Sequence, residues 1–557
     1  MIRVVVDLYD HVRPLKPSQL LSNHSYIVRI HDTGLGPGES INIKNQTGCQ
    51  TILAYDEIPN RYRSDTIVPP GSRLQRINAA LPHYDFIELD AEFDLTNEIL
   101  DLVPPHMRLI TWRNDQPTTA CESPRFNLAN AGNTVSENFD TFTATLRRIM
   151  KVDAFLYRIF SSSGVSALKS VHAIRQDEIN TERLVVYAAG EQQVWSRIAA
   201  TLIGSKFVFA DSLTNGYASL ASMVRQFGLP DLPAVAHLYG IAGKSVTQSI
   251  SPEVHNAAFR ALNYPGLYLA FPATDVESLQ EIIDSFGLLG MSIRGLTTTS
   301  PLKDVVSQRF AADRDIVSKA QSANFLRYRQ AEWRSGTTDD TGLLRILRKY
   351  DISVRNKPVS VLGSGGSGRI AAQALIELGA HVSLYNRSSW RARLASKLLN
   401  IECHPLIDFS PEESEIIVNT VPIAGSSHTD LPFSVRPMKR GCIVIDYNFH
   451  RSPNALTKEA NRQGATVIDG IEMLQMQLLA QFNSLSDREI PDKVLTGILR
   501  QYRTEYVDER HTVRKLKPQV QLSAFPRNKR ENKTATRDTA TTALLMPEPS
   551  AGPGGGQ

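Results

Sequence analysis

At 557 residues the chain is too long for one hydrophobic core, so at least two globular units are expected. Its 61 basic and 57 acidic residues leave a formal charge of +4, which excludes a polyanion-binding surface built on net charge. The four cysteines, Cys49, Cys121, Cys403 and Cys442, form no C-x-x-C pair, which argues against a zinc site or a disulfide framework and for a reducing compartment.

From the N-terminus, short β-branched and aromatic runs alternate with segments of helical length: IRVVVDL, TILAYD, DFIELDAEF, RLITWRN, AFLYRIF, RLVVYAAG, KFVFAD and AHLYGI. Near-continuous apolar runs of this kind are the mark of buried parallel strands, and eight of them predict a (β/α)8 barrel over 1–235. A second α/β pattern begins near Gly240. It is divided into a substrate-binding domain, 236–345, and a Rossmann domain with a closing helix, 346–505. The remainder, 506–557, is rich in Thr, Pro, Gly and charge and is expected to be disordered. No run approaches the ~20 apolar residues of a membrane span, and no signal peptide is evident, so a cytoplasmic or nuclear location is expected.

Within the Rossmann segment, Gly363-Ser-Gly365-Gly366-Ser-Gly368 follows the strand VSVLG and opens the helix SGRIAAQALIEL. That context suits a dinucleotide: a tight turn, close backbone approach and a helix N-terminus facing pyrophosphate. The next strand ends in Tyr385-Asn386-Arg387, where an NAD site would carry an acid against the ribose. Asn386, Arg387 and Arg391 could instead hold a 2′-phosphate, so NADP is the expected cofactor and Gly363, Gly365, Gly366 and Gly368 its cradle.

Five segments, in order over the second half, resemble the shikimate dehydrogenase family. Gln248-Ser249-Ile250-Ser251-Pro252 is similar to its carboxylate motif, and Thr299-Ser300-Pro301-Leu302-Lys303 to the segment carrying its threonine and lysine. Ser322-Ala323-Asn324, Thr338-Asp339-Asp340-Thr341-Gly342 and Gly470 through Phe482, with Gln477, complete the resemblance. It implies substrate contacts from Ser249, Ser251, Thr299, Asn324 and Gln477, with Lys303 and Asp339 as the catalytic pair. Oxidising a secondary alcohol needs a group to take the hydroxyl proton as hydride leaves carbon, which a Lys and Asp beside a nicotinamide provide. The sequence departs from the family at Gln248, Thr337 and Phe449, which stand where histidine, asparagine and tyrosine are usual, and at Ser484-Leu485-Ser486, where Trp-Thr-Gly is usual.

The first half resembles type I dehydroquinase, whose chemistry needs a Schiff-base lysine and a histidine. Here Leu156 is read at the lysine position and Arg113 and Asn114 at those of the histidine and its acidic neighbour. Asp56 and Tyr217 replace the arginine and glutamine, leaving Arg197 as the one matching carboxylate-binding residue. Arginine cannot accept a proton at neutral pH, so dehydratase activity is not expected. The chain opens on IRVVVDLYD, similar to the family's first core strand without its preceding hairpin, so truncation at the start is expected.

A fused pair with one eroded site resembles the fungal quinate repressor family and the last modules of the fungal pentafunctional shikimate-pathway protein. The resemblance implies a sensor of quinate, shikimate or dehydroshikimate that acts through a transcriptional activator rather than by touching nucleic acid. The alternative is an active NADP-dependent shikimate or quinate dehydrogenase with a vestigial barrel. Arg527, Lys529 and Arg530 read as a solvated charge run or an import patch, and Trp112 and Trp195 as barrel core.

Overall fold

The computed structural model describes residues 2–7, 25–31, 38–54, 72–113, 139–213, 216–423, 431–449, 453–491 and 493–500. Asp56, Asn114 and the 506–557 segment with its basic run lie outside them.

The first half is a barrel-like parallel sheet of β1 (Arg3–Asp7), β2 (Tyr26–His31), β3 (Gln50–Ala54), β4 (Phe86–Asp90), β5 (Arg108–Arg113), β6 (Leu156–Ser161), β7 (Leu184–Ala188) and β8 (Phe207–Ala210). The strands lie in chain order with β8 paired to β1, all in parallel register. Among the described residues no ladder joins β7 to β8. The Lys206 N–H, just before β8, donates to the Glu182 carbonyl at 2.9 Å, just before β7.

One barrel strand lies outside the expected set, and one expected strand changes place. YIVRIH forms β2, although Arg29 in its middle breaks the apolar run by which barrel strands were recognised. Arg29 is buried, and its guanidinium is held by Asp7 and Glu88, each at 2.7 Å. Conversely AHLYGI, expected as the last barrel strand, opens the second sheet.

Inside the barrel, Val5, Ile27, Ile52, Leu109, Leu156, Val185 and Phe207 form an apolar plug. Above it lies a charged layer. Arg158 on β6 donates to the Tyr187 hydroxyl at 2.9 Å, lies over the Phe209 ring at 4.5 Å, and meets Glu88 at 3.5 Å. Thr111 also donates to Glu88.

The second sheet contains β9 (His237–Gly243), β10 (Gly266–Pro272), β11 (Ile293–Thr298), β12 (Ala311–Ala312), β13 (Phe325–Arg329) and β14 (Glu332–Gly336) in the order β10-β9-β11-β13-β14-β12, with β13 antiparallel to both its neighbours. The third is wholly parallel: β15 (Pro358–Leu362), β16 (His381–Asn386), β17 (Cys403–Pro405), β18 (Ile416–Asn419), β19 (Ile443–Asp446) and β20 (Thr466–Ile468). Its order, β17-β16-β15-β18-β19-β20, is the doubly wound Rossmann order, which opens a crevice between β15 and β18 where the winding reverses.

The barrel packs on the second sheet's helices. Trp195 sets its ring against Phe271 at 5.4 Å and Phe286 at 5.9 Å, and Arg225 pairs with Glu253 at 2.8 Å. The helix Gly470–Ser486 leaves the Rossmann sheet and crosses back onto the helix Asp339–Lys349. That crossing needs Gly342, because a Cβ there would come within 2.8 Å of the Gln477 side chain.

Candidate functional site

A cleft of about 760 Å³ lies between the second and third sheets, and every site residue singled out from the sequence of the second half lines it. One wall carries Ser249, Ser251, Thr299, Lys303, Asn324 and Asp339, the far wall carries Gly363, Gly365, Gly366, Gly368, Asn386, Arg387 and Arg391, and Gln477 reaches in from the closing helix.

Asp339 is the first residue of the helix Asp339–Lys349, where unpaired backbone N–H groups favour a negative charge. It is buried, and both its oxygens are engaged. Oδ1 accepts from Asn324 Nδ2 at 2.6 Å and Gln477 Nε2 at 2.9 Å; Oδ2 accepts from Lys303 Nζ at 2.8 Å and Ser367 Oγ at 2.9 Å. Asn324 is itself fixed, since its carbonyl accepts the Thr338 N–H at 2.9 Å. At the departure from the usual asparagine, the Thr337 hydroxyl accepts the Asp339 N–H at 3.2 Å. The neighbouring Asp340 is spent elsewhere, bound by both arms of Arg314 at 2.7 and 2.8 Å. Two adjacent carboxylates thus divide: one is structural, the other faces the cleft.

Lys303 projects from the helix Leu302–Arg309 and gives two of its three N–H donors to Asp339 and Ser367, each at 2.8 Å, leaving the third for a ligand oxygen. Ser249 and Ser251 stand at the start of the helix Ser251–Ala261, and the Ser249 hydroxyl accepts the Ser251 N–H at 3.2 Å. Two hydroxyls at a helix N-terminus suit a carboxylate. Four residues on, His255 is fully buried, stacked on Tyr268 at 4.2 Å with Nδ1 2.9 Å from the Ser251 carbonyl, and burial pushes its pKa down to about 4.

The glycine loop has the geometry of a phosphate cradle. Gly363 takes φ +99°, and a Cβ on Gly368 would lie 1.8 Å from the Gly363 carbonyl oxygen, so the turn closes only with glycine there. Asn386 lines the cleft, but its amide is committed to the fold: it accepts the Ser364 N–H at 3.1 Å and donates to the Ser388 carbonyl at 2.9 Å. Arg387 and Arg391 stand beyond it on the cleft wall, and the one carboxylate among the described lining residues is Asp339.

Sequence reasoning passed over two residues. Ser367 occupies an unspecified position of the glycine motif, and only the fold carries its hydroxyl to Lys303. Tyr447, two residues before Phe449, donates to the Asp339 backbone carbonyl at 3.2 Å, with its own pKa raised by burial and by the nearby Asp339 and Asp340.

In the barrel, Leu156 belongs to the apolar plug, and the inward residue of β6 at the level of the charged layer is Arg158. Arg113 lies over the Phe160 ring at 5.0 Å. Arg197 is bound by Asp211 at 2.6 and 2.8 Å, so its fork is filled by a carboxylate of this chain. Tyr217 packs against the core, and burial raises its pKa.

Comparison with known proteins gives a consistent set. The family model for the shikimate dehydrogenase substrate binding domain matches residues 241–326. The chain is 30% identical over 275 residues to the NADP(+) shikimate dehydrogenase of Methanothermobacter thermautotrophicus, covering 47% of this chain and 96% of that protein. It is 32% identical over 249 residues to the enzyme of the same name from Clostridium botulinum, covering 43% and 92%. A longer match, 25% identical over 346 residues, joins 61% of the chain to 69% of the shikimate biosynthesis protein AroDE of Chlamydia pneumoniae. Among solved structures, shikimate dehydrogenase from Aquifex aeolicus aligns with 28% identity and a TM-score of 0.43, covering 47% of this chain and 97% of that one.

Proposed function

Because the chain belongs, through the half that begins near Ile241, to the shikimate dehydrogenase family, we propose that it is an NADP-dependent dehydrogenase that oxidises a secondary hydroxyl of a small carboxylate such as shikimate or quinate. The observation that carries this reading is the pairing of Lys303 with Asp339 at 2.8 Å, in a cleft bounded by two serine hydroxyls on one side and a glycine loop on the other.

The residues divide the work by position. Ser249 and Ser251 receive the substrate carboxylate at the helix N-terminus. Thr299, Asn324 and Gln477 orient the ring hydroxyls, and the last two also fix Asp339 through Oδ1. The hydroxyl proton is taken at the Lys303–Asp339 pair, and the ammonium offsets charge growing on the substrate oxygen. NADP, when bound, supplies the hydride acceptor. The cradle at Gly363 through Gly368 fits its pyrophosphate, and Arg387 and Arg391, on a wall that carries no acid among its described residues, fit a 2′-phosphate.

The barrel, which resembles type I dehydroquinase, is proposed to act as a scaffold without dehydratase chemistry. Support comes from Arg158, which has an inward side chain but cannot form a Schiff base, and from Arg197, whose fork is closed by Asp211. The dehydrogenase names of the matched relatives favour turnover over the sensor reading, in which the same cleft binds quinate or shikimate and signals to a transcriptional activator.

The test is reduction of NADP with shikimate and with quinate, followed by nicotinamide absorbance, beside Lys303→Ala and calorimetric titration of the same acids. Turnover in the native chain and its loss in the variant are expected. Binding of either acid without turnover would overturn the enzymatic reading and restore the sensor.

A further inference from the structure

The glycine loop does more than face a nucleotide. Its Ser367 hydroxyl accepts from Lys303 Nζ at 2.8 Å and reaches Asp339 Oδ2 at 2.9 Å, closing a triangle with the 2.8 Å Lys303–Asp339 contact. The loop is held against the substrate-binding sheet at neighbouring points. Gly366 passes so near Ser322 that a Cβ would sit 2.3 Å from its hydroxyl oxygen. Arg369, buried, spans the two sides: it donates to Asp304, the residue after Lys303, at 2.7 Å, to the Ala320 and Gln321 carbonyls at 2.7 and 3.0 Å, and to its own loop at the Ser364 carbonyl at 3.0 Å.

The attachments of Asp339 are unequal in origin. Oδ1 is held by Asn324, from the substrate-binding side, and by Gln477 of the closing helix. Oδ2 and the Lys303 ammonium share a loop residue, Ser367, as their remaining partner. A ligand that docks on the loop's N–H groups and fixes its position therefore fixes the hydroxyl that orients the proton-transfer pair.

Building on the dehydrogenase reading, we propose that Ser367 is a positioning residue that couples the two ligands of the cleft, so that nucleotide held on the glycine loop pre-orders Lys303 and Asp339 for the hydroxy acid. Coupling of this kind is reciprocal, each ligand tightening the other by the same factor. It need not alter either ligand's contacts with the protein.

The experiment is calorimetric titration of the whole chain with shikimate alone, NADP alone, and shikimate in the presence of saturating NADPH, for native protein, Ser367→Ala and Ser367→Thr. NADPH is used in the ternary titration because it cannot accept the hydride. In Ser367→Ala the tightening of shikimate by nucleotide is expected to fall by about threefold to tenfold, roughly the net worth of one ordinary hydrogen bond. Affinity for each ligand alone should move less than about threefold, and Ser367→Thr, which keeps the hydroxyl, should restore the coupling. Three results would overturn the proposal: unchanged coupling in Ser367→Ala; weaker NADP binding by the same factor, meaning that the hydroxyl merely props the loop; or tighter shikimate binding without nucleotide, meaning that it competes with substrate for the pair. Failure of the dehydrogenase reading is distinct from all three, because it is read in the native protein, which would then bind an acid without reducing NADP or bind neither ligand.

Discussion

Replacing Asp339 with asparagine keeps the shape of the side chain and removes one acceptor oxygen, and the surroundings allow the amide no comfortable orientation. If its NH2 faces Lys303 and Ser367, a donor meets an ammonium and the half-buried cation loses its counter-charge. If it turns the other way, it meets the NH2 groups of Asn324 and Gln477. Gln477 could rotate its amide, but Asn324 could not without giving up the 2.9 Å bond from the Thr338 N–H. Either orientation forfeits two hydrogen bonds to a charged group, each worth about 1.5 to 3 kcal/mol, so the total is about 3 to 6 kcal/mol. If most of that falls on the transition state, kcat/KM for NADP reduction with shikimate drops by about 10² to 10⁴ at roughly 1.4 kcal/mol per tenfold. Initial-rate measurements on Asp339→Asn, with circular dichroism to establish that the fold is intact, provide the check. A folded variant within tenfold of native activity would refute the assignment of Asp339 to proton transfer.

Three further outcomes concern the scaffold. Glu88→Gln should destabilise the barrel by about 3 to 5 kcal/mol, because it strips a buried counter-charge from Arg29 and Arg158, and the urea midpoint followed by barrel tryptophan fluorescence should fall by that energy divided by the m-value. Trp195→Ala removes the ring wedged between Phe271 and Phe286 and should cost about 3 to 5 kcal/mol, with hydrogen exchange rising on both faces of the barrel contact. His255, with its pKa lowered by burial to about 4 from an ordinary 6.5, is neutral in the fold and charges more readily when unfolded. Its contribution is therefore present above pH 6.5 and lost as the pH falls toward 4, by up to about 3 kcal/mol, and His255→Phe should flatten the dependence of the urea midpoint on pH across that window.

Much of the cleft was legible because its parts are local. The glycine spacing, the strand before it and the helix after it are contiguous in sequence, and each substrate-side residue belongs to a short segment whose neighbours identify it. What joins those segments is not local. Nothing near Ser367 in the chain signals Lys303, 64 positions earlier, or Asp339, 28 positions earlier. Asn386 was read as a ligand for a 2′-phosphate because strand ends at that place carry cofactor contacts, and sequence could not reveal that its amide would be used to hold the glycine loop to β16. The barrel's strand β2 was overlooked for a related reason. A charge in mid-strand normally argues against burial, and Arg29 is buried only because Asp7 and Glu88 arrive from β1 and β4 to meet it.

Glu88 and Asp339 show how similar ingredients yield scaffold in one place and chemistry in the other. Each is a buried carboxylate with a cationic partner at 2.7 to 2.8 Å and further donors arranged around it. Around Glu88 the cations are two arginines, which stay protonated at any pH the protein meets, and the layer rests on an apolar plug. Asp339 is paired instead with a lysine that keeps an N–H donor for a ligand, on the wall of a cleft large enough to admit one. A lysine can exchange its proton where an arginine cannot, so exchanging the two cations in either site tests the distinction directly. Lys303→Arg should retain the charge and abolish turnover, whereas Arg158→Lys should weaken the barrel without conferring a reaction on it.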